Sequence, residues 1–229
     1  MRIFIEKKWG SVAVCFLIIC GCLFYTALDG GRFVMKELTD AVIVLDAGHG
    51  GWDPGKTGTG GKNEKELNLA VVEKLAEYLE TGGAEVILTR TSDTALGDGK
   101  QADMAERRRI ANESNAHIFV SIHQNAFPSA EAKGAQVFYH RDSEKGKLLA
   151  ESVQENLKSR VDGSNHRQAK ENESYYILRT TEIPAVIVEC GFLSNGEEEK
   201  LLNDENYQEK LAWAIYCGIL DYFEKTSII

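Results

Sequence analysis

Short β-branched runs alternate with longer stretches of helical periodicity from residue 42 almost to the C-terminus, and this alternation limits the fold more than any other feature. A run of four to eight apolar residues bounded by turn residues reads as a buried strand, and apolar residues three and four apart read as one face of a helix. Strands are predicted at 42–45, 84–89, 117–123, 135–140 and 185–190, with a short one at 175–178. Helices are predicted at 67–79, 103–115, 143–160, 196–202 and 207–223, with Gly82 and Gly83 ending the first. Such alternation implies an α/β domain with a largely parallel sheet covered on both faces. There is no internal repeat, no low-complexity segment and no visible second domain.

The first 31 residues stand apart. Arg2, Lys7 and Lys8 precede an uncharged, almost unbroken apolar run over residues 9–28. About 20 apolar residues suffice to span a bilayer, and positive charge before the run places that end in the cytoplasm. Residues 1–31 are therefore expected to be a signal anchor or a signal peptide, 32–40 a linker, and 41–225 a domain outside the cytoplasm. A net charge of −9 argues against a nucleic-acid partner, which would need a basic patch. Of five cysteines, only Cys190 and Cys217 fall in the exported part; they are expected as small buried side chains rather than as a bridge.

In open α/β sheets ligands bind beyond the carboxyl ends of the strands. The first strand here runs into Asp46-Ala47-Gly48-His49, the third into Ser121-Ile122-His123, and the late one into Glu189. At about 100° per residue, Glu64 lies in line with Leu67, Val71 and Leu75 on the apolar face of its helix, and Glu66 with Glu73 and Glu77 on the solvent face. A carboxylate on the buried side is costly unless it is paired or binds a metal. His49, Glu64 and His123 are thus candidate ligands for Zn2+: two imidazoles and a carboxylate with an open fourth position form a catalytic set. Glu189 is the candidate general base and acid, and Asp46 a candidate partner orienting His49. Arg167 and Asn125 are candidate substrate-binding residues. His117 is expected to be structural or exposed, His166 to be at the surface, and His140 carries no supporting pattern.

The stretches VLDAGHGGWDPG, NEKELNLA, MAERRRIAN, IFVSIHQNAF and PAVIVECGFLSN together resemble the zinc-dependent N-acetylmuramoyl-L-alanine amidases, over residues 42 to about 223. That resemblance implies an open, twisted, mixed six-stranded sheet with helices on both faces, zinc on His49, Glu64 and His123, and catalysis by Glu189. It also implies a substrate, peptidoglycan, cut between N-acetylmuramic acid and L-alanine. Chain size, the apolar N-terminal segment, Gly134-Ala135-Gln136 and the ending YQEKLAWAIYCGILDYF look most like the membrane-anchored spore-cortex amidases, whose cut allows muramic-δ-lactam to form. Membrane attachment goes with that likeness, and the anchor or an accessory protein would supply the targeting or activation that an uncovered groove lacks. Gln124 and Cys190 depart from the usual small or β-branched residues, and Cys190 raises the question of a thiol beside Glu189. No long helical insertion separates Glu64 from His123, so an uncovered groove is expected. A zinc peptidase trimming stem peptides and a non-catalytic wall-binding protein are the alternative readings.

Overall fold

The structure, a computed structural model, describes residues 38–227. Their elements are β1 (Val42–Ala47), α1 (Glu64–Thr81), β2 (Glu85–Leu88), α2 (Lys100–Glu113), β3 (Ile118–Asn125), β4 (Gln136–Tyr139), α3 (Glu144–Arg160), β5 (Lys170–Glu171), α4 (Tyr176–Thr180), β6 (Ala185–Phe192), α5 (Gly196–Leu202) and α6 (Glu205–Thr226). One six-stranded sheet has the order β2-β1-β3-β6-β4-β5. Every neighbouring pair is parallel except β4–β6, so the sheet is mixed and largely parallel.

Strand side chains alternate between faces with a period of two, and the central strands use this to build two cores. Ile43, Leu45, Ile118, Val120, Ile122, Val186 and Val188 face α1, α3 and α6. Val44, Phe119 and Ile187 face the thinner cover of α2 and α4. Apolar residues on both faces explain why these strands appear in the sequence as continuous runs. Registers Asp46↔Ser121 and His123↔Glu189 bring the carboxyl ends of β1, β3 and β6 level.

The segment at 175–178 is not a strand. Asn172 Oδ1 accepts hydrogen bonds from Ser174 N and Tyr175 N (2.8 and 2.9 Å), an Asx turn that leads into the short helix α4. That helix buries Ile177 and Leu178 together, which an alternating strand would place on opposite faces. The sixth strand is instead Lys170–Glu171, an exposed edge too short and polar to signal itself. Cys190 and Cys217 are both buried free thiols. The apolar run at 9–28 lies outside the described residues; among those described, no helix is long and apolar enough to cross a membrane.

Candidate active site

On the face toward α2, three strands change from apolar to polar at their carboxyl ends. Asp46 follows Val44 on that face, Ser121 and His123 follow Phe119, and Glu189 follows Ile187. A polar floor thus forms at the sheet edge where α/β folds place ligands.

His49 stands just beyond β1 in a left-handed turn, with φ of 63° at His49, 132° at Gly50 and 56° at Gly51. Left-handed backbone costs a non-glycine residue roughly 1–2 kcal/mol, and two buried arginines hold it there. Arg107 donates to the carbonyls of Ala47 (3.0 Å) and His49 (2.7 Å). Arg90 donates to those of Ala47 (2.8 Å) and Gly48 (3.1 Å). With three successive carbonyls engaged, the His49 ring is presented to the other donors. Gly48 permits the arrangement, because a Cβ there would sit 2.2 Å from the His123 ring.

Glu64 opens α1 and is 4% exposed, while Glu66 is exposed and accepts from Asn63 Nδ2. Glu64 Oε1 lies 2.9 Å from His123 Nδ1 and 3.2 Å from His49 Nε2, and Oε2 accepts from Lys56 N at 2.8 Å. Asn68, one turn on, donates to the Gly48 carbonyl (3.0 Å) and ties α1 to the His49 loop.

Ligand atoms of His49, Glu64 and His123 all lie within 4.8 Å of one another, close enough to hold one metal ion. Two imidazoles and a carboxylate suit a divalent transition metal. The electrostatics agree. Burial pulls the His49 imidazole down, but Glu64 and Asp53 outweigh it and push it up to about 9. Burial raises the Glu64 carboxyl, yet its hydrogen bonds with His123 and His49 hold it well below the usual carboxylate range. A centre that draws a proton this strongly also favours a cation. Both histidine side chains remain 24% and 22% exposed, so the donors are reachable from solvent.

Asp53, not Asp46, orients His49. Its Oδ2 lies 2.8 Å from His49 Nδ1, and its Oδ1 accepts from Gly55 N at 3.0 Å. The left-handed turn at 49–51 folds the chain back so that the fourth residue after His49 meets its ring. Asp46 is carried by β1 toward α2, where it pairs with Arg107 and accepts from Thr89 (2.7 Å) and Ser121 (2.6 Å). Burial raises its carboxyl, but Arg107 and the two hydroxyls more than offset that and leave it below the ordinary value. Asp53→Ala is expected to weaken metal binding about 10- to 100-fold, the usual effect of losing a partner behind a ligand histidine. Chelator competition measures this; unchanged affinity would mean the loop alone holds the ring.

Glu189 is 7% exposed, and its Oε2 has no hydrogen-bond partner. Burial pushes it up to about 7, with His123 and His49 opposing and Glu64 assisting. The neighbouring Cys190 points to the opposite face, into the core under α1 and α6, where burial pushes its thiol up. Strand alternation therefore keeps the thiol out of the centre.

Beside the centre is a cavity of about 320 Å³, walled by Trp52, Met104, Tyr175 and Ile177, with His49 and Glu189 on its lining. Arg167 and Asn125 are not among its walls. Arg167 donates to Lys133 O (2.7 Å) and Gln136 Oε1 (3.0 Å), with its guanidinium 4.6 Å over the Phe192 ring. Asn125 Oδ1 caps Ala126 N at 2.8 Å. His117 Nδ1 accepts from Val42 N, and His166 is exposed. His140 follows β4, whose antiparallel course takes it to the far edge of the sheet. Asp53, Trp52 and Tyr175 escaped the sequence reading. Only Asp53 carried a local signal, its spacing of four from His49.

Residues 43–221 match the N-acetylmuramoyl-L-alanine amidase family. The germination-specific N-acetylmuramoyl-L-alanine amidase of Bacillus subtilis is 36% identical over 228 residues, covering 95% of each chain. Among solved structures, the CwlD amidase from Clostridioides difficile in complex with the GerS lipoprotein is 45% identical, with a TM-score of 0.79 over 81% of this chain and 100% of that one. An N-acetylmuramoyl-L-alanine amidase from Clostridium difficile 630 is 33% identical, with a TM-score of 0.74 over 80% and 97%. Agreement in sequence along nearly the whole chain, and in fold over the described part, places this protein in the N-acetylmuramoyl-L-alanine amidase family.

Proposed function

We propose that residues 41–225 form a zinc-dependent catalytic domain that hydrolyses the amide between N-acetylmuramic acid and L-alanine in peptidoglycan. The observation that carries this is Glu189: a buried carboxylate with an unpartnered oxygen, beside three converging metal donors. His49, Glu64 and His123 would hold the ion, which when bound acidifies water and polarises a carbonyl. Glu189 takes the proton from the attacking water and delivers it to the nitrogen as the C–N bond breaks. The products are a carboxylate on the muramic acid lactyl group and a free L-alanine amine. Asp53 fixes the ring of His49, while Arg107 and Arg90 fix its backbone.

Likeness to the germination-specific relative supports spore cortex as the substrate, with muramic-δ-lactam formed after the stem peptide is removed. It also supports action outside the cytoplasm, with residues 1–31 as anchor or signal. The relative held with a lipoprotein supports an accessory partner of that kind.

Mass spectrometry of spore peptidoglycan digested with and without chelator tests the reading. Free stem peptides that disappear with chelator are expected; shortened stems still attached to glycan would instead identify a peptidase. Glu64→Ala should lower zinc affinity at least about 100-fold, more than loss of a partner behind a ligand, and Glu66→Ala should leave it unchanged. Metal titration of both variants measures this, and a ligand-like loss in Glu66→Ala would overturn the assignment.

A further inference from the structure

We propose that Lys100, on the lining of the cavity beside Glu189, pairs with the first free carboxylate of the leaving stem peptide. The proposal rests on the amidase reading and adds a residue that sets substrate preference.

One face of α2 lines the cavity, with Lys100, Asp103, Met104 and Arg107 spaced three and four apart. Tyr175 and Ile177 stand on the wall, and Tyr175 is braced edge-on against Phe138 at 5.6 Å between ring centroids. At about 320 Å³ the cavity is at the small end of ligand pockets, which run from about 300 to 1,000 Å³. That size suits the first residues of a peptide better than a glycan strand, which must continue in both directions.

Charge narrows the occupant further. Arg107 is 2% exposed and committed to Asp46, Asp103 and backbone carbonyls. Lys100 is exposed; its charge helps hold down the Asp53 carboxyl on the same cavity, but it closes no direct ion pair among the described residues. It opens a 14-residue helix whose N-cap, Gly99, supplies no side-chain cap, so the first N–H groups add partial positive charge to the same end. A helix start alone would not define a site. Here Glu189, buried and with its Oε2 unpartnered, lines the same cavity and indicates a ligand that meets its carboxyl group.

The amine product of muramoyl–L-alanine cleavage fits both features. Its nitrogen must come within reach of Glu189, its alanine methyl suits the Met104 and Ile177 walls, and its second residue is a D-glutamate joined through the side chain, which leaves the α-carboxylate free. The uncut glycan offers Lys100 no charge, since the muramic acid lactyl group is still an amide.

Calorimetric titration of the full chain with the tripeptide L-Ala–γ-D-Glu–L-Lys, and with the same peptide amidated at the glutamate α-carboxylate, tests the proposal. Wild type should bind the acid about fivefold tighter, as for an ion pair at an exposed position. Lys100→Gln should abolish that preference and Lys100→Glu reverse it. On the matching N-acetylmuramoyl tripeptides, kcat/KM should divide the same way. Equal binding of acid and amide by wild type, no measurable binding of either, or a preference that survives Lys100→Gln would each overturn the subsite. If the preference depends on Lys100 but neither muramoyl peptide is cleaved, the subsite stands and the amidase reading falls.

Discussion

Glu189→Gln is expected to lower amide hydrolysis by about 100- to 10,000-fold, the range spanned by general acid–base catalysis, while zinc content stays unchanged. The glutamine side chain keeps the shape of the carboxylate but cannot take a proton from water. Glu189 is not one of the three converging donors, so metal retention separates the two roles a carboxylate can have here. Turnover on purified peptidoglycan, with metal analysis of the same preparation, measures both. Zinc lost together with activity would make Glu189 a ligand; a rate reduced only a few fold would place the base elsewhere. The effect should be large because Glu189 is buried at the sheet edge and the other acids on the cavity are engaged, Asp46 and Asp103 with Arg107 and Asp53 with His49.

Arg107→Met should destabilise the fold by about 3–5 kcal/mol, the cost of breaking a buried ion pair by removing one partner. Arg107 pairs with Asp46 and Asp103 and donates to two carbonyls of the His49 turn. Removing it strands two carboxylates and loosens a left-handed histidine. Thermal unfolding followed by circular dichroism should show Tm lower by about 10 °C or more. The deficit should depend on pH. In wild type the Asp46 carboxyl sits below its ordinary 3.8, so its contribution to stability is present above that value and lost as pH falls through the lowered one. Without Arg107 that contribution is absent at neutral pH, and burial then favours the protonated acid. The gap between variant and wild type should therefore be widest near pH 7 and narrow toward pH 4. A constant gap, or one below about 1 kcal/mol, would show that the network does not anchor the turn. Asp46→Asn in the same background should recover part of the loss, because it removes one stranded charge.

Much of the fold was legible because its signals are local. Five apolar runs became five of the six strands, β2 at an edge and the others inside the sheet, and burial on both faces accounts for an unbroken apolar run such as 118–120. The donors were legible for a related reason. His49, His123 and Glu189 stand at strand ends, and Glu64 differs from Glu66 by which side of one helix it occupies. Each is a statement about position along a single element.

What the chain alone left open were pairings between elements and turns that reverse direction. The short helix at 176–180 depends on an Asx turn at Asn172 and on a second core that it completes with Phe138 and Ile187. Asp46 was the nearer acid in strand position, but the left-handed turn at 49–51 sends His49 to Asp53 and leaves Asp46 to an arginine 61 residues away. The cavity beside Glu189 joins α2 to the loop before α4, which no periodicity connects. Sequence by itself determined the class of fold and the three converging donors, because strand and helix periods are written residue by residue. Which acid orients His49, and that Lys100 and Glu189 line one cavity, were settled only by the tertiary structure, because both depend on how separate elements meet in space.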